Sequence, residues 1–590
     1  MSGLWLWAAV ALPPTLAVVA LTDRRGRWSP LLVAVAAVPG LVAGLGGEVT
    51  ASAHWLLLET VLRTDGLAQT FLVAAALLWL SAGLVAHGTL EDRRRRFAAL
   101  SLLALGGNAT LVLAADVVTF YTGFALMTFA AYGLVVHDGT TVARRAGRIY
   151  VLMAVLGEVV LLAGLLLAVH AAGTLQVAAV PGAVAAAEYR ALTVGLLLGG
   201  LGVKVGLVGL HMWLPLAHPA APVAASAVLS GAMIKAGLLG WLRVLPLGEA
   251  AMPGWGATML VLGLLGAFGA VVVGLTQHQA KVNLAYSSVS QMGTAVALVG
   301  VALANPAVAS AALAAAAVFA LHHGLAKGAL FLGAGAVHGP LALVGSGLAA
   351  AALAGAPLTS GIASKYLIKD VAGDAGSTGA ALLTSLPLTS VATALLLARL
   401  LWLQSKNTKA SATRWAWAGW AIAVTGTLLA TWTVPAARAA GVDTVAPLAA
   451  SIDWDAIWPL LVAIILIALV VRRPVHVREL PPGDLINPLE ALGRHLAHQQ
   501  TPTTTARMAA AIRSAPAAVA TGSLRLLDVA EAALERGRRG VSTATRARLA
   551  RTSASSLRLL TTTEMAFTRW RGATSLLVVI LVALLWGVAR

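Results

Sequence analysis

The sequence predicts an all-α polytopic membrane protein of about 16 transmembrane helices, and three observations predict it. Hydrophobic residues fill 59% of the 590 positions and charged residues only 11%, and the mean hydropathy of +0.86 lies far above the soluble globular range. Apolar runs of membrane-crossing length recur along the chain. Arginine and lysine concentrate in alternate gaps between those runs.

In order, the expected spans are 3–22, 29–45, 66–88, 97–115, 116–136, 149–170, 191–212, 221–244, 256–275, 282–304, 308–335, 343–368, 378–403, 415–434, 456–471 and 572–589. The first has no basic segment before it and Arg24, Arg25 and Arg27 after it, so it reads as a retained span rather than a signal peptide. Residues 46–65 read as a loop with a short interfacial piece. Counting gaps alternately gives one side Arg24, Arg25, Arg27, Arg93–Arg96, Arg144, Arg145, Arg148, Lys281, Lys406, Lys409, Arg414, Arg472, Arg473 and Arg478. The other side has few basic residues and many acids, so the first side is expected in the cytoplasm and both termini outside.

Residues 480–571 are Arg-, Ala- and Thr-rich and hold no apolar run long enough to span. Leu524, Leu526, Leu527, Ala530 and Leu534 recur at helical spacing, which predicts a lateral amphipathic helix on the cytoplasmic surface, contacting anionic lipid, before a final anchor. The net charge of +18 follows this pattern of loops and lateral segment and argues against nucleic acid as a partner. The absence of cysteine excludes disulfides, thiolate zinc sites and cysteine-ligated clusters. No cofactor, metal site or catalytic redox centre is expected on this chain, so redox chemistry would belong to partner subunits.

Charges inside apolar runs carry the functional reading, because such charges are costly in a bilayer. Glu158, Lys204, Lys235 and Lys327 have apolar sequence on both sides. Lys365 and Lys281 lie nearer span ends, where snorkelling to the interface also explains a lysine. Glu158 also has a bland explanation, a neutral hydrogen-bonded acid. Burial disfavours a charged lysine and a nearby carboxylate favours it, so a lysine with a movable acid partner can switch a proton. His211, His322 and His323 are candidate relays between such stations, or packed polar residues.

The spans also repeat. Residues 97–245 and 246–405 overlay as two five-helix units with opposite topology, flanked by N-terminal helices (1–96), further helices (406–479), the lateral segment (480–571) and the anchor (572–590). Glycines and prolines beside Lys204 and beside Lys365 predict a broken helix in each unit, the pattern of inverted-repeat transporters.

Residues 211–237 (HMWLPLAHPAAPVAASAVLSGAMIKAG), 284–293 (LAYSSVSQMG), 322–335 (HHGLAKGALFLGAG) and 353–368 (LAGAPLTSGIASKYLI) closely resemble the antiporter-like subunits of respiratory complex I, Mrp-type Na+/H+ antiporters and membrane-bound NiFe hydrogenases. The resemblance spans roughly residues 65–405. It implies two inverted bundles, each a proton half-channel. Lys204 matches the first-bundle lysine, Lys235 the lysine of the next helix, His323 and Lys327 the central path, and Lys365 the second broken helix. The C-terminal segment and final span resemble the bracing arm of complex I and hydrogenase members. Two departures stand out. FYTGFALM carries Ala125 where the family has glutamate, and WLPLAH carries Leu216 where it has aspartate. Glu158, one span later, is the expected substitute acid.

The expected function is a subunit that moves protons or Na+ within a multisubunit complex, alongside other membrane subunits and redox or soluble catalytic subunits. Two alternatives stand beside it: the membrane half of a two-part inorganic-carbon accumulation system, and a scaffold that no longer conducts. The expected location is the bacterial inner membrane.

Overall fold

A computed structural model describes residues 3–22, 26–406, 412–433, 454–472, 479–483, 486–487 and 490. Its elements in order are α1 (Leu4–Thr22), α2 (Ser29–Leu45), β1 (Val49–Ala53), β2 (Thr60–Thr64), α3 (Gly66–Thr89), α4 (Arg94–Leu113), α5 (Val117–Val135), α6 (Thr141–Ala172), α7 (Val180–Ala186) and α8 (Arg190–Val205). They continue with α9 (Leu214–Ala220), α10 (Val223–Val228), a π-helical turn (Leu229–Met233), α11 (Lys235–Val244), α12 (Pro253–Leu275), α13 (Ala280–Ala304) and α14 (Ala309–Gly335). The last are α15 (Pro340–Ala354), α16 (Ser360–Asp374), α17 (Ala380–Ser405), α18 (Arg414–Thr433) and α19 (Trp454–Arg472).

Among the described residues, 11 helical stretches are long and apolar enough to cross a membrane. The chain is therefore a multi-pass helical membrane protein, as its composition requires. The other expected spans fare differently. Residues 29–45 form a helix of 17 residues, and 415–434 correspond to α18. Residues 191–212 are helical only to Val205, and 343–368 break in two between Ala354 and Ser360. The lateral helix expected over 480–571 lies almost wholly outside the described residues, and the anchor at 572–589 entirely so.

The layering follows burial. The stretches Val223–Val244 and Ala280–Ala304 are each 94% buried and form the centre. The corresponding figure for α19 is 11%, which places that helix at the periphery with Ile464, Ile465 and Val471 turned outward. Small residues set the closest helix pairs, since packing in lipid rewards close backbones. A Cβ on Gly263 would lie 2.5 Å from the Ala297 nitrogen, and one on Gly293 would lie 2.5 Å from the Ala267 nitrogen, so α12 and α13 touch along their backbones.

One element departs from an all-helical fold. Residues 46–65, read as a loop, hold an antiparallel hairpin pairing Val49 with Thr64 and Ala53 with Thr60. It is tied down by buried acids. Asp116 caps α5 through the Thr119 amide and also accepts the Val61 amide at 3.0 Å. Asp65 caps α3 through the Ala68 amide and pairs with Arg243 at the end of α11. Burial raises the Asp65 carboxyl, but the Arg243 guanidinium and the Ala68 amide outweigh it and hold the group below its usual value. The opposite face is closed by Arg93, which donates to the His137 carbonyl.

That opposite face also receives residues after α19. The Leu480 carbonyl accepts from Gln277, Glu490 pairs with Arg145 at 2.7 Å, and Ile486 packs on the core. A Cβ on Gly483 would lie 3.0 Å from Leu216. Leu216 is thus an apolar contact for a covering segment, which gives its departure from the family's aspartate a physical reason.

Candidate functional site

Both broken helices end in the same way. α8 stops at Gly206 and α15 at Gly355, each with φ of +80°, a conformation that suits glycine. The next residue's amide reaches back to the helix, Leu207 to the Gly202 carbonyl at 2.9 Å and Ala356 to the Ala351 carbonyl at 2.9 Å. These are Schellman caps. They open the chain inside the protein, where freed carbonyls need partners.

Lysines supply several of those partners. Lys365 donates to the Ala354 carbonyl at 2.8 Å, capping α15, and also to Ser390 on α17. Lys281 donates to the His218 and Ala221 carbonyls at 3.2 and 2.6 Å, capping α9. Lys235 donates to the Ser230 carbonyl, which the π turn leaves exposed to it. Neither Lys281 nor Lys365 snorkels outward; both turn in to helix ends.

Lys204 differs. Its ammonium donates to the Thr128 hydroxyl at 3.1 Å and the Tyr150 hydroxyl at 3.2 Å, with the rings of Phe124 and Tyr150 beside it. Glu158 is the carboxylate whose charge reaches it. Both line one cavity of about 10 Å³, with room for about one water, walled by Phe124, Thr128, Tyr150 and Trp213. The Thr128 hydroxyl donates to the Phe124 carbonyl and also lies within hydrogen-bond reach of Glu158. Ala125, the position where the resemblance places an acid, follows Phe124 on α5.

A second cluster runs through the centre. His218 interacts electrostatically with Lys281, Lys327 and Lys235; His323 with Lys235, Lys327 and His322; and His322 with Lys365. Lys327, His218 and His323 are fully buried. Lys327 donates to the Leu284 carbonyl at 3.2 Å, and His322 meets the Ser360 hydroxyl at 2.8 Å. His218 and His323 stack on Phe331 and Phe319. A pair of glycines lets the cluster form: a Cβ on Gly231 would lie 2.8 Å from the Gly324 carbonyl, and one on Gly324 would lie 2.6 Å from the Gly231 carbonyl. The backbones of the π turn and α14 touch there.

At Lys365 the cluster meets a vestibule of about 600 Å³ bounded by α16, α17 and the start of α19. At its other end Lys281 feels the charge of Asp138, in the loop between α5 and α6. His211 is buried in the loop between α8 and α9, beside Gly206.

Sequence reasoning passed over several polar neighbours. His218 was visible within the HPAAP stretch. Thr128, Tyr150, Ser360 and Ser390 gave no signal, because hydroxyls are common in membrane helices and only folding brings these to lysines.

Residues 114–389 match the family model described as NADH:quinone oxidoreductase/Mrp antiporter, transmembrane. Hydrogenase-4 component B of Escherichia coli (strain K12) is 28% identical over 291 residues, covering 47% of this chain and 43% of that protein. NADH-quinone oxidoreductase subunit N of Deinococcus radiodurans is 29% identical over 210 residues, covering 35% of this chain and 43% of that one. The matches thus span about half the length of the curated relatives or less. Among solved structures, the Mrp complex from Dietzia sp. DQ12-45-1b gives a TM-score of 0.70 at 24% identity, covering 90% of this chain and 62% of that chain. The membrane-bound sulfane sulfur reductase, an archaeal respiratory membrane complex, gives 0.61 at 20%, covering 76% of this chain and 99% of that chain. These last two show the fold. Residues 114–389 are thus similar to the antiporter-like membrane subunits represented by that family model and by these relatives.

Proposed function

We propose that this chain moves protons across a bacterial cytoplasmic membrane as one subunit of a multisubunit energy-coupling complex. The observation that carries the reading is the buried run Lys281–His218–Lys327–Lys235–His323–His322–Lys365, which ends in a vestibule. A run of titratable groups set in the protein interior suits proton hopping. They do not suit Na+, a hard cation that needs oxygen ligands and would meet a row of basic groups.

The Lys204 cavity is the switching station in this reading. When a proton settles on Glu158, the negative charge that faces Lys204 disappears, and the ammonium can pass its own proton on. Thr128 suits the exchange: its single hydroxyl proton can point to the Phe124 carbonyl or toward Glu158. The acid thus stands on α6 instead of at Ala125 on α5. The two broken helices with matching glycine caps are read as equivalent halves of an inverted repeat. Partners are other membrane subunits and redox or soluble catalytic subunits, with residues 480–571 as a basic arm toward neighbours and anionic lipid.

Reconstituting the complex with Lys204→Ala or Lys365→Ala tests the reading. Both should depress proton flux. Unchanged flux in both would leave a scaffold.

A further inference from the structure

The vestibule that reaches Lys365 is walled in part by a helix outside the family-matched residues 114–389. The first turn of α19 places Asp455, Ala456 and Trp458 along it, facing α16. Asp455 pairs with Lys369 at 2.6 Å. Lys369 lies one helical turn beyond Lys365 on α16, so the pair sits between Lys365 and the outer end of that helix. Asp370 and Asp374 line the same space.

Two properties make this pair movable. Its side chains are 49% and 61% exposed, and a partly solvated ion pair holds only weakly. It also joins α16 to α19, the least embedded of the spans among the described residues. Breaking the pair leaves both charges in a polar vestibule, where water solvates them, so opening carries no buried-charge penalty.

We propose that Lys369 and Asp455 form a gate across the outer mouth of the Lys365 vestibule, shut while they pair and open when α19 carries Asp455 away. Its purpose rests on the proton-transport reading above, but its test does not.

The chain has no cysteine, so labelling read on this chain after the subunits are separated reports a single introduced thiol. Ser390→Cys places one beside Lys365, Leu386→Cys serves if that variant folds poorly, and Leu383→Cys gives a control position at the vestibule. The complex in membrane vesicles is treated with a small neutral maleimide, and labelling is timed. Adding Asp455→Asn or Lys369→Ala should speed labelling at residue 390 by roughly fivefold or more, while residue 383 changes little. The exchanged pair, Lys369→Asp with Asp455→Lys, should restore slow labelling. Equal rates at residue 390 with and without the pair would overturn the gate, as would equal acceleration at both positions. Proton flux through vesicles carrying the complex without the introduced thiol separates the two ideas: gated labelling with no transport sinks only the transport reading.

Discussion

Glu158 and Lys204 face the same small cavity from α6 and α8, with the Thr128 hydroxyl within reach of both. Lys204 has hydroxyl partners but, among the described residues, no carboxylate within ion-pair distance, so Glu158 acts on it through the cavity. Glu158→Gln should therefore cut proton flux at least about tenfold, a barrier change of about 1.4 kcal/mol. Flux through reconstituted vesicles at matched incorporation checks this, and unchanged flux removes Glu158 from the mechanism.

Moving the acid back should rescue function. Ala125 follows Phe124 on α5 and comes one turn before Thr128 and Phe129; Phe124 and Thr128 both approach Lys204. Ala125→Glu combined with Glu158→Gln should recover part of the flux that Glu158→Gln loses. If the double variant is no better than the single one, position rather than charge decides the switch.

Gly231→Ala should separate the π turn from α14. The new methyl would fall 2.8 Å from the Gly324 carbonyl and 2.7 Å from Leu78, so the helices must part. A loss on the order of 1–3 kcal/mol is expected from overpacking, read as a lower unfolding midpoint in detergent. Flux should fall as well, because Lys235 and Lys327 face each other across this contact.

Asp65 and Arg243 give a pH-dependent anchor for the hairpin. The folded Asp65 carboxyl sits below its unfolded value, so its contribution is present above the unfolded value and is lost as pH falls through the folded one. Thermal unfolding should therefore show Asp65→Asn costing on the order of 2 kcal/mol at pH 7, with the gap to the unaltered protein closing below about pH 4. A constant gap across that range would mean that the pair's charge is not what holds the hairpin.

Much of this was legible in the chain. Span-length apolar runs and alternating basic gaps gave the helical membrane class, and Gly206, Gly209 and Pro215 beside Lys204, with Pro357 and Gly361 beside Lys365, pointed to both breaks. The buried lysines stood out because charge is rare in such runs. Three things were not legible. The hairpin at 49–64 was hidden because it is tied down by Asp116 and Arg243, which lie far along the sequence. The inward turn of Lys281 and Lys365 was hidden because a lysine near a span end looks the same whether it snorkels or caps a broken helix. The role of Leu216 was hidden because the residues that cover it, Gly483 and Ile486, lie far along the sequence.

Lys327 tests the central claim most directly, since it is fully buried, lies midway along the run and caps no helix end. Proton flux should be measured in vesicles containing the complex with Lys327→Ala, at matched incorporation and with folding verified by its unfolding midpoint. The proton-path account expects flux to fall at least about tenfold. A folded variant with undiminished flux would contradict it.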